Sequence, residues 1–137
     1  MKAEVRRLVA RTVTLRVLIA EDDQDTADSL KMLLEGFGYE VHVSYDGESA
    51  VPAALALKPH VILMDIGLPG MSGYEAARRI RAWKPSMPVR IVALTGRDKL
   101  ADRQRSAEAG IDHHVVKPAD PAVLQRIFDS TLAAGPG

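Results

Sequence analysis

A chain of 137 residues is the size of one ordinary domain and can bury roughly two-thirds of its unfolded surface without covalent staples. It has no cysteine, which excludes disulfides, zinc–thiolate centres, iron–sulfur clusters and cysteine nucleophiles. Eighteen basic residues balance eighteen acidic ones, and 47% of the chain is hydrophobic, which argues against both a generally basic nucleic-acid binder and a disordered chain.

Residues 1–14 form an N-terminal extension carrying Lys2, Glu4, Arg6, Arg7 and Arg11. It has no apolar core of the kind a signal peptide needs. Val5, Leu8 and Val9 would share a face if it were helical. The domain proper is expected over 15–133. Its first strand is Val17-Leu18-Ile19-Ala20, running into Glu21-Asp22-Asp23. A helix follows, with Ala27, Leu30, Leu34 and Phe37 at helical spacing, Asp25 or Thr26 as its cap, and Gly36 and Gly38 at its close. Val41-His42-Val43 is a weaker strand. The second helix contains Pro52; Ser49 as N-cap would put that proline in a first turn, so a late start is expected. Val61-Ile62-Leu63-Met64 is the third strand and runs into Asp65. Ala76, Ile80 and Trp83 mark the third helix, ended by Lys84-Pro85. Ile91-Val92-Ala93-Leu94 runs into Thr95. The fourth helix, near Asp98 to Ala109, has only Leu100, Ala101, Ala107 and Ala109 as apolar residues, so its packing should be weak. Val115-Val116 runs into Lys117-Pro118. Leu124, Ile127, Phe128 and Leu132 form the last stripe, and 134–137 is a tail. No apolar run approaches the ~18 residues of a spanning helix, so a soluble cytoplasmic protein is expected.

Strand alternating with helix five times predicts an α/β fold, a doubly wound parallel sheet with helices on both faces. The first, third and fourth strands are continuous apolar runs, as expected for strands covered on both sides. The common order for five such strands is 2-1-3-4-5, the flavodoxin-like three-layer sandwich, with ligands bound outside the carboxyl ends of the strands. Those ends carry Glu21-Asp22-Asp23, Asp65, Thr95 and Lys117. Clustered carboxylates repel unless a proton or cation sits among them. Hard oxygen ligands favour Mg²⁺ or Ca²⁺, and few ligands plus water favour Mg²⁺. Lys117 offers a positive charge and Thr95 a hydroxyl to phosphate oxygens. A carboxylate in such a set can accept a phosphoryl group directly.

These residues resemble the receiver domains of two-component response regulators. The matching stretches are Val17 to Asp23, Val61-Ile62-Leu63-Met64-Asp65-Ile66-Gly67-Leu68-Pro69-Gly70-Met71-Ser72-Gly73, Ala93-Leu94-Thr95-Gly96 and Val115-Val116-Lys117-Pro118. Ile66 to Met71 and Gly110 to His114 look most like receivers of hybrid sensor kinases. The resemblance implies that Asp65 is the phospho-acceptor. It implies that Asp22 is a direct metal ligand, that Glu21 acts mainly through water, and that the Gly67 carbonyl adds a ligand for Mg²⁺. A register one residue later would make the acidic pair Asp22 and Asp23. Thr95 and Lys117 would contact the phosphoryl oxygens, and Pro118 would follow a cis bond. The sequence departs from the family in three places. His114 stands where an inward-turning aromatic switch is usual. Gly67 lacks a side chain beside the phosphate. Arg97, two residues after Thr95, is expected to cover the site and modulate phosphoryl loss. For His113-His114 a surface or switch role is expected rather than a metal role, because adjacent strand residues face opposite sides.

What the resemblance implies is a stand-alone receiver, not an enzyme beyond its own phosphoryl transfer and dephosphorylation. Its phosphoryl source would be a phosphohistidine on a histidine kinase or histidine phosphotransfer protein. Readout would fall on the fourth helix, fifth strand and fifth helix, a surface with Arg103, Arg105, His114 and Arg126 that also suits a homodimer. Relay, sink and protein-contact output stay open, with no direct nucleic-acid contact and no membrane insertion expected. A degenerate receiver acting by contacts alone is the alternative. A phosphatase lacks its second acid at Gly67, and a flavin binder would find its phosphate repelled by Glu21-Asp22-Asp23.

Overall fold

The apolar runs pair into one sheet because each offers two greasy faces, and each face is covered. A computed structural model describes residues 14–83, 88–96 and 103–134. The elements are β1 (Arg16–Ala20), α1 (Gln24–Gly36), β2 (Glu40–Ser44), α2 (Gly47–Leu57), β3 (Val61–Asp65), α3 (Gly73–Trp83), β4 (Arg90–Thr95), α4 (Arg103–Glu108), β5 (His113–Val116) and α5 (Pro121–Ala134). All five strands are parallel, in the order β2-β1-β3-β4-β5, as expected.

Alternation along each strand divides the core. Leu18, Ala20, Ile62, Met64, Ile91 and Ala93 pack with Ala50 and Ala54 of α2 and Ala76, Ala77 and Ile80 of α3. Val17, Ile19, Val61, Leu63, Val92 and Leu94 pack with Leu30 and Leu34 of α1 and Leu124 and Phe128 of α5. The result is three layers, with β1, β3 and β4 buried between two helical sheets of side chains. The weaker signal of β2 follows from its place: among the described residues it is an edge strand, paired with β1, and His42 and Val43 are half-buried.

Several local expectations are corrected. The cap of α1 is Asp23, not Asp25 or Thr26; its side chain accepts from the Thr26 N–H at 3.0 Å and from the Thr26 hydroxyl. At the other end Gly38 takes φ +93°, and the N–H groups of Gly38 and Tyr39 reach back to Glu35 and Leu34, a left-handed closure that glycine adopts without strain. The α2 helix does not start late. Asp46 caps it, accepting from Ser49 N–H at 2.7 Å, so the helix begins at Gly47 and Pro52 falls in its interior. An aspartate at that position is a strong cap, and the proline ring points to solvent. Trp83 does not continue the α3 core stripe; it is 72% exposed. Arg81, two residues earlier, already donates to the carbonyl of Val89 at the start of β4, so Trp83 lies past the end of the sheet. Tyr74 and Ala77 take the burial instead. In α4, Ala107 is exposed while Ser106 is buried. Leu100 and Ala101, Lys84-Pro85, Arg97 and residues 1–13 lie outside the described residues.

Candidate functional site

Strand register brings the site together. Ala20 pairs with Met64, Asp65 with Leu94, and Thr95 with Val116. Glu21 N–H continues the β1 ladder to Ser44 at 3.0 Å, and Lys117 N–H continues the β5 ladder to Thr95 at 2.8 Å. Glu21, Asp65, Thr95 and Lys117 therefore end at one level on the carboxyl edge of the sheet, where the switch between β1 and β3 opens a crevice.

Around Asp65 the contacts are dense. Lys117 Nζ lies 2.7 Å from Glu21 Oε1 and 3.2 Å from Asp65 Oδ2. The Gly67 N–H donates to Asp65 Oδ1 at 3.0 Å. The Lys117–Pro118 bond is cis. One carboxylate oxygen from each of Glu21, Asp22 and Asp65 lies within 4.8 Å of the others. Asp23 is spent on the cap of α1, so the acidic cluster is built on Glu21 and Asp22, and the register alternative of Asp22 with Asp23 does not describe it.

Burial sets the electrostatics. Glu21 is fully buried and Asp65 is 8% exposed, whereas Asp22 is exposed. Burial, reinforced by the neighbouring Asp65 carboxyl, raises Glu21 to about 7. Burial acts the same way on Asp65, but the Glu21 carboxyl, the Gly67 amide and Lys117 outweigh it and hold Asp65 below the usual carboxylate range. Burial would lower Lys117; its two acidic neighbours outweigh that and raise it. The two carboxyls thus shift in opposite directions, Glu21 up and Asp65 down.

Among the described residues two buried oxygens at this edge have no hydrogen-bond partner, Glu21 Oε2 and Thr95 Oγ1. Thr95 is 2% exposed. Buried polar atoms are nearly always paired, so an orphan on a functional edge marks a place for a ligand. Oxygen donors alone, one of them buried without a partner, fit a hard divalent cation such as Mg²⁺.

His114 sits on β5 beside Ala93, half-buried, on the sheet face that Ala93 and Thr95 share. Gly67 is exposed. Gly73, the last residue of the motif that follows β3, has a packing role. A Cβ there would stand 2.4 Å from the Asp65 carbonyl oxygen and 2.8 Å from Ile66 Cα, so only glycine lets α3 start against the backbone of Asp65. A cleft of about 540 Å³ opens beside Lys117, walled by Thr26, Ser29, Leu30 and Leu33 of α1 and by Pro118 and Ala119.

Residues 17–129 match the model of the response regulator receiver domain family. The DNA-binding response regulator MtrA of Mycolicibacterium smegmatis is 36% identical over 113 residues, covering 82% of this chain and 48% of MtrA. The chain thus spans about half the length of the curated relatives it matches. Among solved structures, the receiver domain of the sensor histidine kinase PA1611 from Pseudomonas aeruginosa was determined with magnesium coordinated in its active-site cleft. It is similar with a TM-score of 0.79 and 34% identity, over 88% of this chain and 98% of that one. A chain of the co-crystal of the Saccharomyces cerevisiae phosphotransfer protein Ypd1 with the receiver domain of Ssk1 is similar with a TM-score of 0.76 and 29% identity, over 82% and 84% of the two chains.

Proposed function

This chain belongs to the response regulator receiver domain family, and from that premise we propose that Asp65 accepts a phosphoryl group from a partner's phosphohistidine. The observation that carries the proposal is the pair of orphan oxygens, Glu21 Oε2 and Thr95 Oγ1, on the edge where Asp65 is held as an anion.

In the transfer, an Asp65 carboxylate oxygen attacks phosphorus, a P–O bond forms, and the P–N bond to the partner's imidazole breaks with its electron pair on nitrogen. Gly67 N–H on Oδ1 and Lys117 on Oδ2 fix the orientation of the carboxylate. Thr95 donates its hydroxyl to a phosphoryl oxygen, and Lys117 turns from Glu21 and Asp65 toward the transferred group. Glu21, Asp22, Asp65 and the Gly67 carbonyl would hold Mg²⁺, and the bound ion would offset charge on the phosphoryl oxygens.

The partner is a histidine kinase or a histidine phosphotransfer protein, and the cleft between α1 and Pro118-Ala119 gives it an approach beside Lys117. The chain acts as phospho-acceptor rather than as an enzyme on free substrates. Its readout surface is α4, β5 and α5, where Arg105 and Arg126 are exposed and His114 replaces the usual aromatic. Among the described residues no helix is long and apolar enough to cross a membrane. A cytoplasmic location goes with the receiver reading. Relay or sink is favoured over output by the likeness of Ile66 to Met71 to hybrid-kinase receivers. The experiment is incubation with Mg²⁺ and acetyl phosphate followed by intact mass, with Asp65→Asn in parallel. A Mg²⁺-dependent gain of one phosphoryl group in the wild type alone is expected; no gain in either would overturn the reading in favour of a receiver that works by contacts alone.

A further inference from the structure

Little apolar surface anchors α4. In its described stretch Ser106 is fully buried, and Ala109 just beyond is 1% exposed; both side chains are small. A larger contact ties the helix to its neighbour. The Arg105 guanidinium carbon lies 4.5 Å from the centroid of the Tyr74 ring.

Tyr74 is 2% exposed and belongs to the core cluster on the α2–α3 side of the sheet, and among the described residues its hydroxyl has no hydrogen-bond partner. Buried tyrosines usually pair that hydroxyl. Packing and the guanidinium, not a hydrogen bond, therefore hold this ring. Its place in α3 gives the contact its consequence. Gly73, one residue earlier, presses on the Asp65 and Ile66 backbone, and its N–H donates to the Ile66 carbonyl at 3.0 Å. The ring is thus one residue from a rigid contact with the backbone that carries the acceptor carboxylate.

We propose that the Tyr74–Arg105 stack is a strap between the Asp65 end of α3 and α4, and that these two positioning residues set how readily Asp65 takes a phosphoryl group. This rests on the reading of Asp65 as acceptor. The stack belongs to the arrangement in which Asp65 is a carboxylate held by Gly67 N–H and Lys117. A contact made in one arrangement and lost in another biases the equilibrium toward the first. Where phosphoryl transfer shifts α4, the strap opposes it, and cutting the strap speeds transfer. The size of an exposed cation–π contact corresponds to roughly a two- to fivefold change.

The test is the rate of Mg²⁺-dependent phosphorylation of the full chain by acetyl phosphate, followed by intact mass, with amide exchange over residues 103–109 read in parallel. Arg105→Ala, a surface change, is expected to phosphorylate roughly two- to fivefold faster and to exchange faster in α4. Tyr74→Leu should match it, the double variant should be no faster than either, and Tyr74→Phe, which keeps the ring, should stay at the wild-type rate. A wild type that is phosphorylated beside an Arg105→Ala that matches its rate overturns the strap and leaves the acceptor reading standing. Acceleration by Tyr74→Phe equal to that by Tyr74→Leu also overturns it, since the ring would then not be the agent. A wild type that takes no phosphoryl group overturns the acceptor reading and the strap together.

Discussion

The ammonium of Lys117 lies 2.7 Å from Oε1 of Glu21, closer than the 3.2 Å that separates it from Asp65. The lysine that the family resemblance pairs with a phosphoryl group is thus also the counter-ion of a fully buried glutamate. Lys117→Met leaves two buried acids facing each other without that cation. Phosphorylation by acetyl phosphate is expected to slow by about 100-fold, the scale of losing one donor to a developing charge. In the same variant Mg²⁺ should raise the melting temperature more than in the wild type, because it would then offset the acids in place of the lysine. A variant phosphorylated at the wild-type rate would remove Lys117 from the chemistry.

Two glycines of one motif should behave differently. A Cβ at Gly73 meets the Asp65 carbonyl oxygen at 2.4 Å, whereas a Cβ at Gly67 comes no nearer than 3.8 Å to Asp65 Oδ1. Gly73→Ala is expected to destabilise by about 2–3 kcal/mol, the upper range for overpacking. Gly67→Ala should change stability by less than about 1 kcal/mol. Urea unfolding of the two variants side by side checks this; equal losses would contradict the geometry.

Arg81 closes the opposite edge of the molecule. Its guanidinium donates to the Val89 carbonyl at 2.8 Å, to the Gly110 carbonyl at 2.9 and 3.1 Å, and to Asp112 Oδ2 at 2.8 Å. The same Asp112 oxygen accepts from Ile91 N–H at 2.9 Å. Arg81→Met keeps the aliphatic stem and loses the clamp, at a cost of about 2 kcal/mol by the scale for hydrogen bonds to charged groups. Denaturant unfolding gives the loss, and hydrogen exchange should show it first at the start of β4 and β5.

His60 gives stability a pH dependence away from the acidic site. Its Nδ1 accepts the Arg16 backbone N–H at 2.9 Å. Burial, and next the Arg16 charge, lower it below the ordinary 6.5, against a weaker pull upward from Glu40. Above pH 6.5 the imidazole is neutral folded and unfolded, and its contribution is fully present. As the pH falls below 6.5 the unfolded chain takes the proton first, so stability is lost until the folded value is passed. The melting temperature is expected to drop more between pH 6.5 and 5.5 in the wild type than in His60→Asn, which keeps an acceptor without a titrating ring. Parallel curves would show that His60 does not carry the dependence.

The chain's own chemistry determined the fold class and most of the site. Continuous β-branched runs can be satisfied only by burial on both faces, and that requires helices above and below a parallel sheet. Once the strands are parallel and in register, whatever residue follows each run must arrive at the same edge, and here those residues are Glu21, Asp65, Thr95 and Lys117. Contacts between distant segments were not legible in this way. Asp23 and Asp22 are equivalent as neighbours in a row of acids, and only the start of α1 decided that one caps a helix while the other joins Asp65. Trp83 continues a helical spacing that the sheet is too short to cover. The Arg81 clamp spans 31 residues to Asp112, and the Tyr74–Arg105 stack spans α3 to α4. Periodicity and capping are local and are written in adjacent residues; a charge's partner is chosen by which elements the crossovers set side by side, and that is decided only when the layers close.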